Sequence, residues 1–359
     1  MQEALDLLNR MVSMESPSFD KELTDKFAGF VGTQFREIGG EVDFVRAEKF
    51  GDHLRVKFGS GSSNRILLLG HTDTVWPAGE IAKRPFKIEA GRAMGPGVFD
   101  MKGGILLMWM AMKTVPTVPV TILLTSDEEV GSNSSRALIE SEASACRAVL
   151  VLEPSLPGGT LKTARKGVGR FTLKAIGRAA HAGIDPEKGV NAIEEISRQI
   201  LKIQQMTDSG RGTTVTAGVV HGGTRSNVVP AEAAAEIDVR ITSMEEGDRV
   251  SKMIKALSPE LPGARLEIRG SINRLPMERS SETVRLFEIA RGVAARIGID
   301  LKEGSTGGAS DGNFTAALGI PTLDGLGPVG GGAHAVDEWV DVASLDQRAA
   351  LLAGLINAV

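Results

Sequence analysis

The chain has 359 residues, of which 42% are apolar and 24% are charged, a composition typical of a globular protein with about two domains. Its formal net charge of −4, with no long basic run, excludes a surface built to bind nucleic acid or anionic membranes. The single cysteine, Cys146, excludes an internal disulfide bond and a thiolate metal cluster, so any metal must be held by histidines and carboxylates.

The N-terminal segment, MQEALDLLNRMVSMESPS, is amphipathic and lacks the basic flank and apolar core of a signal peptide. No later stretch reaches about 18 consecutive apolar residues, the length that predicts a membrane span. The sequence as given therefore predicts a cytoplasmic protein with no membrane partner. A leader removed from the chain would leave no trace in it.

The first 165 residues alternate between predicted helices and predicted strands. Apolar spacing from Leu23 to Ile38, closed by Gly39 and Gly40, predicts a helix. Two more helices are predicted, at 103–113 and near 133–141, and strands are predicted at 42–45, 54–58, 65–70, 118–126 and 147–153. Fully apolar strands that alternate with helices predict an α/β fold with a mixed, largely parallel sheet and helices on both faces. Sites in such sheets form at the carboxyl ends of the strands.

A second, smaller α/β unit is predicted within the chain. From KGVGRFTLKAIG onward, strands alternate with a helix at 190–206 and another around 246–257, in two βαβ-like halves. We place this α/β sandwich at residues 166–275, inserted into a first domain formed by residues 1–165 and 276–359. The helix SETVRLFEIARGVAARIG marks the return to the first domain.

Five fragments combine metal-binding side chains with strand ends: GHTDTV (70–75), GPGVFDMKGG (95–104), TSDEEVGS (125–132), VLEPS (151–155) and GGGAHAVDE (330–338). Each fragment places a histidine or carboxylate between an apolar run and a turn rich in glycine or proline. The side chains that they contribute are His71, Asp73, Asp100, Glu128, Glu129, Glu153 and His334. These residue types are those of a metal site.

The donor set matches two metal ions rather than one. Two zinc ions about 3.5 to 4 Å apart can share one carboxylate, and each then takes a histidine and a further carboxylate. We expect His71 and Glu153 to bind one ion, Glu129 and His334 to bind the other, and Asp100 to bridge them. Nitrogen and oxygen ligands with an open position are typical of catalysis. The predicted cofactor is therefore two Zn²⁺ ions per subunit, for which Co²⁺ or Mn²⁺ can substitute.

The remaining carboxylates have other predicted roles. Asp73 lies two residues after His71, so on an extended strand both side chains share a face and Asp73 can orient the imidazole. Glu128 and Glu129 are adjacent and should diverge, so that Glu129 binds metal and Glu128 serves as general base for the attacking water. Asp127 is predicted to be a structural turn residue.

In this order and spacing, the five fragments resemble those of the co-catalytic di-zinc metallopeptidases. That family includes aminoacylase, acetylornithine deacetylase, succinyl-diaminopimelate desuccinylase and the glutamate carboxypeptidases. The similarity extends over essentially the whole chain, and GHTDTV, FDMKGG and SDEEVGS together are highly specific. The resemblance implies the same five ligands, Glu128 as the base, and a cis peptide bond between Asp100 and Met101.

The resemblance also implies roles for residues outside the metal site. In GRAAHAG, His181 resembles a histidine that reaches the neighbouring subunit's site and stabilises the oxyanion, which implies a homodimer formed through residues 166–275. The residues that resemble groups holding or lining the substrate are Asn227, Arg240, Gly307 and Gly308. Arg274, where the inserted domain returns, is predicted to reach a second, side-chain carboxylate of the substrate.

Two substrate classes are consistent with these residues. The first hypothesis is hydrolysis of the amide bond that joins a C-terminal amino acid, preferably glutamate, to a peptide or an N-acyl group. Similarity of GHTDTVWP, GVFDMKGG and GGASDGNF to the glutamate carboxypeptidases favours it. The alternative is an N-acyl-amino-acid deacylase of the acetylornithine deacetylase or desuccinylase type. A non-catalytic binding protein is a third hypothesis, but it predicts loss of Glu128 or of a ligand, and all are present.

Overall fold

The computed structural model describes residues 1–61, 64–115 and 118–359. By internal contacts the chain divides into two compact units: unit 1 comprises residues 1–164, 279–305 and 310–359, and unit 2 comprises residues 165–278 and 306–309. Among the described residues, no helix combines the length and the apolar character needed to cross a membrane.

The α-helices are α1 Gln2–Val12, α2 Lys21–Glu37, α3 Glu80–Lys83, α4 Gly103–Met112, α5 Arg136–Ser144, α6 Ala192–Gln204, α7 Met244–Lys255, α8 Ser281–Arg296, α9 Gly312–Ala317 and α10 Leu345–Ala358. The strands are β1 Glu41–Val45, β2 His53–Phe58, β3 Arg65–His71, β4 Lys87–Glu89, β5 Arg92–Met94, β6 Val120–Thr125, β7 Cys146–Val151, β8 Leu161–Arg165, β9 Gly167–Ile176, β10 Thr214–Gly222, β11 Glu232–Ile241, β12 Arg265–Arg274, β13 Glu303–Thr306, β14 Thr322–Leu323, β15 Gly330–Gly331 and β16 Trp339–Asp341.

Six strands form the central sheet of unit 1, in the order β1-β2-β6-β3-β7-β14. Strands β6, β3, β7 and β14 are parallel, whereas β2 runs antiparallel to both of its neighbours. The predicted mixed sheet is therefore present. Because the parallel strands end at the same edge, the polar residues that follow β3, β6 and β7 lie side by side.

Helices cover both faces of this sheet, as predicted. Alternate residues of β3 enter different cores, with Ile66 and Leu68 in one and Leu67 and Leu69 in the other. The first core is packed by α1, α4, α8 and α10, and the second by α5 and α9. Every residue of β3 is buried. Packing on both sides therefore holds the carboxyl end of β3 in place.

A second, smaller sheet in unit 1 is not predicted by the sequence pattern. Four short antiparallel strands form it, in the order β15-β16-β5-β4. Trp339 of β16 pairs with Met94 of β5. This pairing brings the loop 332–338 next to the segment 95–100, although the two are far apart in the sequence.

Unit 2 is a four-stranded antiparallel sheet, in the order β10-β11-β9-β12, that packs against α6 and α7. Helix α6 begins after Asn191, whose side chain accepts hydrogen bonds from the backbone N–H groups of Ile193 and Glu194. Buried residues alternate with more exposed ones along β9, as expected of a sheet that has helices on one face. Strand β10 lies at an edge, and seven of its nine residues are exposed.

Candidate metal centre and catalytic site

Four of the predicted site residues lie at or just after the carboxyl ends of three parallel strands in unit 1. His71 is the last residue of β3, Glu128 and Glu129 lie in the turn after β6, and Glu153 follows β7 by two residues. Asp100 lies in the turn that leads into α4. The peptide bond that follows it is cis, as the resemblance implies.

Asp100 lies between the two predicted histidine ligands. Its Oδ1 is 3.2 Å from Nε2 of His71, and its Oδ2 is 3.3 Å from Nε2 of His334. Oε1 of Glu153 is 3.6 Å from the same nitrogen of His71, and Oε2 of Glu129 is 3.1 Å from the same nitrogen of His334. The donors thus fall into two sets that share one carboxylate, which is the geometry that a bridging role of Asp100 requires.

The protonation of this cluster reflects its excess of carboxylates. Burial alone would raise the pKa of Asp100, but the imidazoles of His334 and His71 hold it well below its usual range. Burial lowers the pKa of His71, yet Asp100 and Asp73 raise it well above its usual value. Hydrogen bonds with Asp100 and Glu129 raise the pKa of His334 to about 10. Protonated histidines thus balance the carboxylates, and metal ions would take the place of those protons, because a metal binds neutral imidazole.

Two further features of the donor set fit divalent metal ions. Oε1 of Glu129 is buried and makes no hydrogen bond within the described residues, which is costly unless a cation or water compensates it. Atoms of His71, Glu128 and Glu153 that could bind a metal lie within 4.8 Å of one another, and the same is true of His71, Asp100 and Glu129. Imidazole and carboxylate donors without thiolate suit the open sites of zinc, cobalt and manganese.

Asp73 lies behind the turn that carries the two glutamates. Its Oδ1 accepts a hydrogen bond from the backbone N–H of Glu128, and its Oδ2 accepts one from that of Glu129, both at 3.2 Å. The hydroxyl of Ser18 donates to the same Oδ2 at 2.7 Å. Nδ1 of His71 is 2.9 Å from the backbone oxygen of Asp73 but 3.4 Å from its Oδ1. Both the backbone oxygen and the carboxylate of Asp73 thus lie beside the imidazole, and the carboxylate also fixes the adjacent turn.

Two more buried carboxylates support this turn. Asp127, the predicted turn residue, accepts hydrogen bonds from the backbone N–H and the hydroxyl of Ser134 at 2.7 and 2.8 Å. Asp311 accepts hydrogen bonds from the hydroxyls of Thr125, at 2.9 Å, and Ser132. Sequence reasoning did not identify Asp311, and its signal was its place in GGASDG. These contacts hold the residues on either side of the two glutamates in place.

Glu338 is a buried residue of the site that sequence reasoning also missed. Its Oε1 accepts hydrogen bonds from the backbone N–H groups of Phe99 and Asp100, at 2.8 and 2.9 Å. Its Oε2 accepts hydrogen bonds from the backbone N–H of Gly97, at 2.9 Å, and from the indole of Trp76, at 3.1 Å. The available signal was its position four residues after the histidine of GGGAHAVDE.

A cavity of about 490 Å³ opens beside Glu129. Residues 17–20 and 74–78 line it together with Glu129 and Val130. Phe19, which is 79% exposed, contributes to its apolar wall. The volume lies within the range of roughly 300–1,000 Å³ that is usual for small-molecule sites. A small peptide or an N-acyl amino acid is of suitable size.

The predicted oxyanion residue lies in unit 2. His181 is exposed, and its Nδ1 accepts a hydrogen bond from the backbone N–H of Gly183 at 3.1 Å. The neutral ring therefore carries its proton on Nε2, which can donate. The segment of Asn227 lies alongside, because the backbone N–H of Ala182 donates to the backbone oxygen of Asn227 at 3.0 Å. The structure thus brings two of the predicted substrate-contacting residues together.

Arg240 and Arg274 flank one residue of the sheet in unit 2. In the antiparallel register both pair with Val168 of β9, one from β11 and the other from β12. Nε and Nη2 of Arg240 donate to the carboxylate oxygens of Asp238 at 2.8 and 3.0 Å. The guanidinium of Arg240 is therefore already engaged by a carboxylate, and Arg274 is buried.

The two glycines predicted to line the site, Gly307 and Gly308, lie in the short segment 306–309 that belongs to unit 2. The backbone oxygen of Gly308 accepts a hydrogen bond from Nη1 of Arg165 at 3.1 Å. A Cβ atom added at either glycine would meet no atom of the described residues within 4 Å. The space beside them is therefore open, while their role in lining the site stays a prediction.

The chain is similar in sequence to proteins from two of the groups that its five fragments resemble, the carboxypeptidases and the desuccinylases. The chain matches peptidase family M20/M25/M40 over residues 67–358. It is 30% identical over 362 residues to carboxypeptidase G2 from Pseudomonas sp. (strain RS-16), covering 97% of this chain and 87% of that protein. It is 26% identical to succinyl-diaminopimelate desuccinylase from Methylococcus capsulatus, covering 98% of this chain and 97% of that protein.

Solved structures confirm the predicted fold. Aminopeptidase PepT from Bacillus cereus superposes with a TM-score of 0.81 at 22% identity, covering 99% of this chain and 98% of that chain. The YXEP protein of Bacillus subtilis, described as a dinuclear metal-binding peptidase of the M20 family, has a TM-score of 0.72 at 15% identity, covering 100% and 99%. At these identities the likeness shows the fold, and the family follows from the sequence match. The chain therefore belongs to peptidase family M20/M25/M40, as a metallopeptidase or related amidohydrolase of that family.

Proposed function

We propose that the protein is a di-zinc hydrolase that removes a C-terminal amino acid, preferably glutamate, from small peptides or N-acyl conjugates. One observation carries the proposal: the two oxygens of Asp100 face different histidines, His71 and His334, and each histidine has a further carboxylate beside it. A carboxylate shared between two such pairs is the arrangement expected of a two-metal hydrolytic site. The description of the YXEP protein as dinuclear supports it.

Two zinc ions, when bound, would polarise the scissile carbonyl group and lower the pKa of the attacking water. His71 and Glu153 would hold one ion, His334 and Glu129 the other, and Asp100 both. Cobalt or manganese is expected to substitute, because imidazole and carboxylate ligands suit all three metals.

The chain's own residues would carry out the remaining steps. Glu128 would take the proton of the attacking water and pass it to the leaving amine. His181 would donate from Nε2 to the oxyanion. Asn227 and Arg240 would hold the carboxylate of the amino acid. To do so, the guanidinium of Arg240 would leave the carboxylate of Asp238 and pair with that of the substrate. Gly307 and Gly308 would line this part of the site, and Arg274 would meet the side-chain carboxylate of glutamate.

A comparison of substrates tests the proposed specificity. Metal-loaded enzyme is expected to release glutamate from N-acyl-L-glutamates and from dipeptides that end in glutamate. It should act more slowly on matched conjugates of leucine, because an apolar side chain offers no carboxylate to the guanidinium proposed to bind it. Values of kcat/KM across such a panel measure the preference.

The desuccinylase relatives support a second candidate, an N-acyl-amino-acid deacylase. The panel therefore includes N-acetylornithine and N-succinyl-diaminopimelate. Hydrolysis of either, with no release of glutamate from the other substrates, would replace the first candidate by the second.

Metal loading tests the bridging role of Asp100. Since this residue faces both histidines, Asp100→Ala is expected to lose more metal than His71→Ala or His334→Ala, each of which removes a ligand of one ion. Removing the bridge also leaves two cations that repel each other without a carboxylate between them. Elemental analysis of the three purified variants measures the metal content. Equal losses in all three would show that Asp100 is not shared.

A further inference from the structure

Glu338 makes an unusually complete set of contacts for a residue outside the proposed ligand set. It is 1% exposed, and its four hydrogen-bond donors, at 2.8 to 3.1 Å, are the backbone of Gly97, Phe99 and Asp100 and the indole of Trp76. Each oxygen accepts two of them. An ionised carboxylate offers about four acceptor positions. Its positions are therefore filled by N–H groups, and Glu338 itself is not a metal ligand.

These contacts connect the segments that carry the proposed ligands of both ions. Asp100, the shared ligand, donates its own backbone N–H to Glu338. Glu338 lies four residues after His334, in the loop between β15 and β16. Trp76 lies five residues after His71, in the segment that follows β3. The carboxylate of Glu338 thus fixes Asp100 relative to the loop that carries His334. It also fixes both of them relative to the segment that follows His71.

The position of His334 depends on the same loop. Its backbone φ is 62°, in the left-handed region that a residue other than glycine rarely occupies. Within the loop, the backbone N–H of Ala335 donates to the oxygen of Gly332, and that of Glu338 donates to the oxygen of Ala335. Strand β16, which begins at the next residue, pairs with β5. A strained backbone of this kind persists where its surroundings fix it.

We propose that Glu338 is a positioning residue of the metal centre, which holds Asp100 and His334 at the separation that lets one carboxylate serve two ions. The inference rests on the proposed function, because it presumes that metal binds at these residues. Groups that orient metal ligands typically contribute 10–100-fold to metal affinity. Because Asp100 is shared, the loss of Glu338 weakens the binding of both ions together.

The test is Glu338→Gln, which keeps the shape of the side chain but turns one acceptor oxygen into an NH₂ group that faces N–H donors. We expect the zinc affinity of both sites to fall by about 10- to 100-fold. Competition with a chelator measures it on the full-length, metal-depleted protein, and circular dichroism verifies the fold. The absorption spectrum of the cobalt-loaded variant should also change, because the ligand geometry shifts.

The matched control is Glu195→Gln in unit 2. Glu195 is also fully buried, and it accepts hydrogen bonds from the backbone of Glu260 and Leu261 and from the side chain of Gln199. The same substitution there removes a comparable set of contacts but touches no proposed ligand. We expect it to lower the melting temperature and leave zinc affinity unchanged.

A graded series keeps the proposal testable if Glu338→Gln does not fold. Trp76→Phe removes one of the four donors, and Glu338→Asp withdraws the carboxylate by one methylene, so both should weaken zinc binding less than Glu338→Gln. Unchanged affinity in the folded members of the series would overturn the proposal. An equal loss of affinity in Glu195→Gln would also overturn it. A wild-type protein that binds no zinc would instead refute the proposed function, and this inference with it.

Discussion

Replacing Glu128 with glutamine is expected to lower kcat by roughly 10²- to 10⁴-fold while both metal ions stay bound. Glutamine has the shape of glutamate but cannot accept a proton from the attacking water. The backbone N–H of Glu128 is fixed by Asp73, and the residue is only 9% exposed. The substitution therefore changes the charge of the side chain and leaves its position. Steady-state kinetics and elemental analysis of the same preparation measure the two quantities.

The neighbouring substitution, Glu129→Gln, is the matched control for this experiment. Oε2 of Glu129 lies 3.1 Å from Nε2 of His334, so this variant is expected to lose metal. The comparison is needed because a carboxylate oxygen of Glu128 also lies within 4.8 Å of the proposed ligand atoms of His71 and Glu153. Metal loss from Glu128→Gln, or a kcat near that of the wild type, would show that the two glutamates have the opposite roles.

That the candidate ligands lie close together in space could be predicted, because it follows from the local sequence. The apolar strands β3, β6 and β7 end in parallel at one edge, so a polar residue just after each of them falls beside the others. His71, Glu129 and Glu153 needed only that rule. The structure brings them together with Asp100 and His334, while the ligand role of each stays a prediction until metal binding is measured.

The groups that support the ligands could not be predicted, because they come from distant segments. Asp100 and Glu338 are 238 residues apart in the sequence, and Ser18 and Asp73 are 55 apart. The strands β4, β5, β15 and β16, which align the two loops around Glu338, have two or three residues each. Segments of that length show no hydrophobic period.

The predicted role of Asp73 shows the limit of a local rule. Residues two positions apart on a strand point to the same face of the sheet. However, β3 ends at His71, so Asp73 already lies in the turn beyond it. The carboxylate of Asp73 therefore reaches the backbone of Glu128 and Glu129, and its backbone oxygen is the atom nearest to the imidazole. The rule predicted that the pair lies close together, but the contacts of Asp73 with the backbone of Glu128 and Glu129 could not be predicted from it, and the orienting role of the carboxylate stays a prediction.

One edge of the sheet in unit 2 is apolar and exposed. Strand β10 forms one edge of its sheet, and Val219 and Val220 in it are 41% and 57% exposed. Apolar residues on an open edge strand favour pairing with another chain. His181, in the same unit, has a ring nitrogen free of the bond to Gly183 and able to donate. We propose that two chains associate through unit 2 and that His181 of each completes the site of the other.

His181→Ala is therefore expected to lower kcat by roughly 10²- to 10³-fold, the usual effect of losing an oxyanion donor, with metal content intact. The sharper test mixes this variant with Glu128→Gln under conditions that exchange subunits. In a heterodimer, one site then lacks both groups and the other has both. Activity should reappear at about half of the wild-type value per heterodimer, since one of its two sites is complete. The control mixes Glu128→Gln with His71→Ala, a pair that leaves every site defective and should recover nothing. No recovery in the first mixture, despite demonstrated exchange, would mean that His181 serves the site of its own chain or no site.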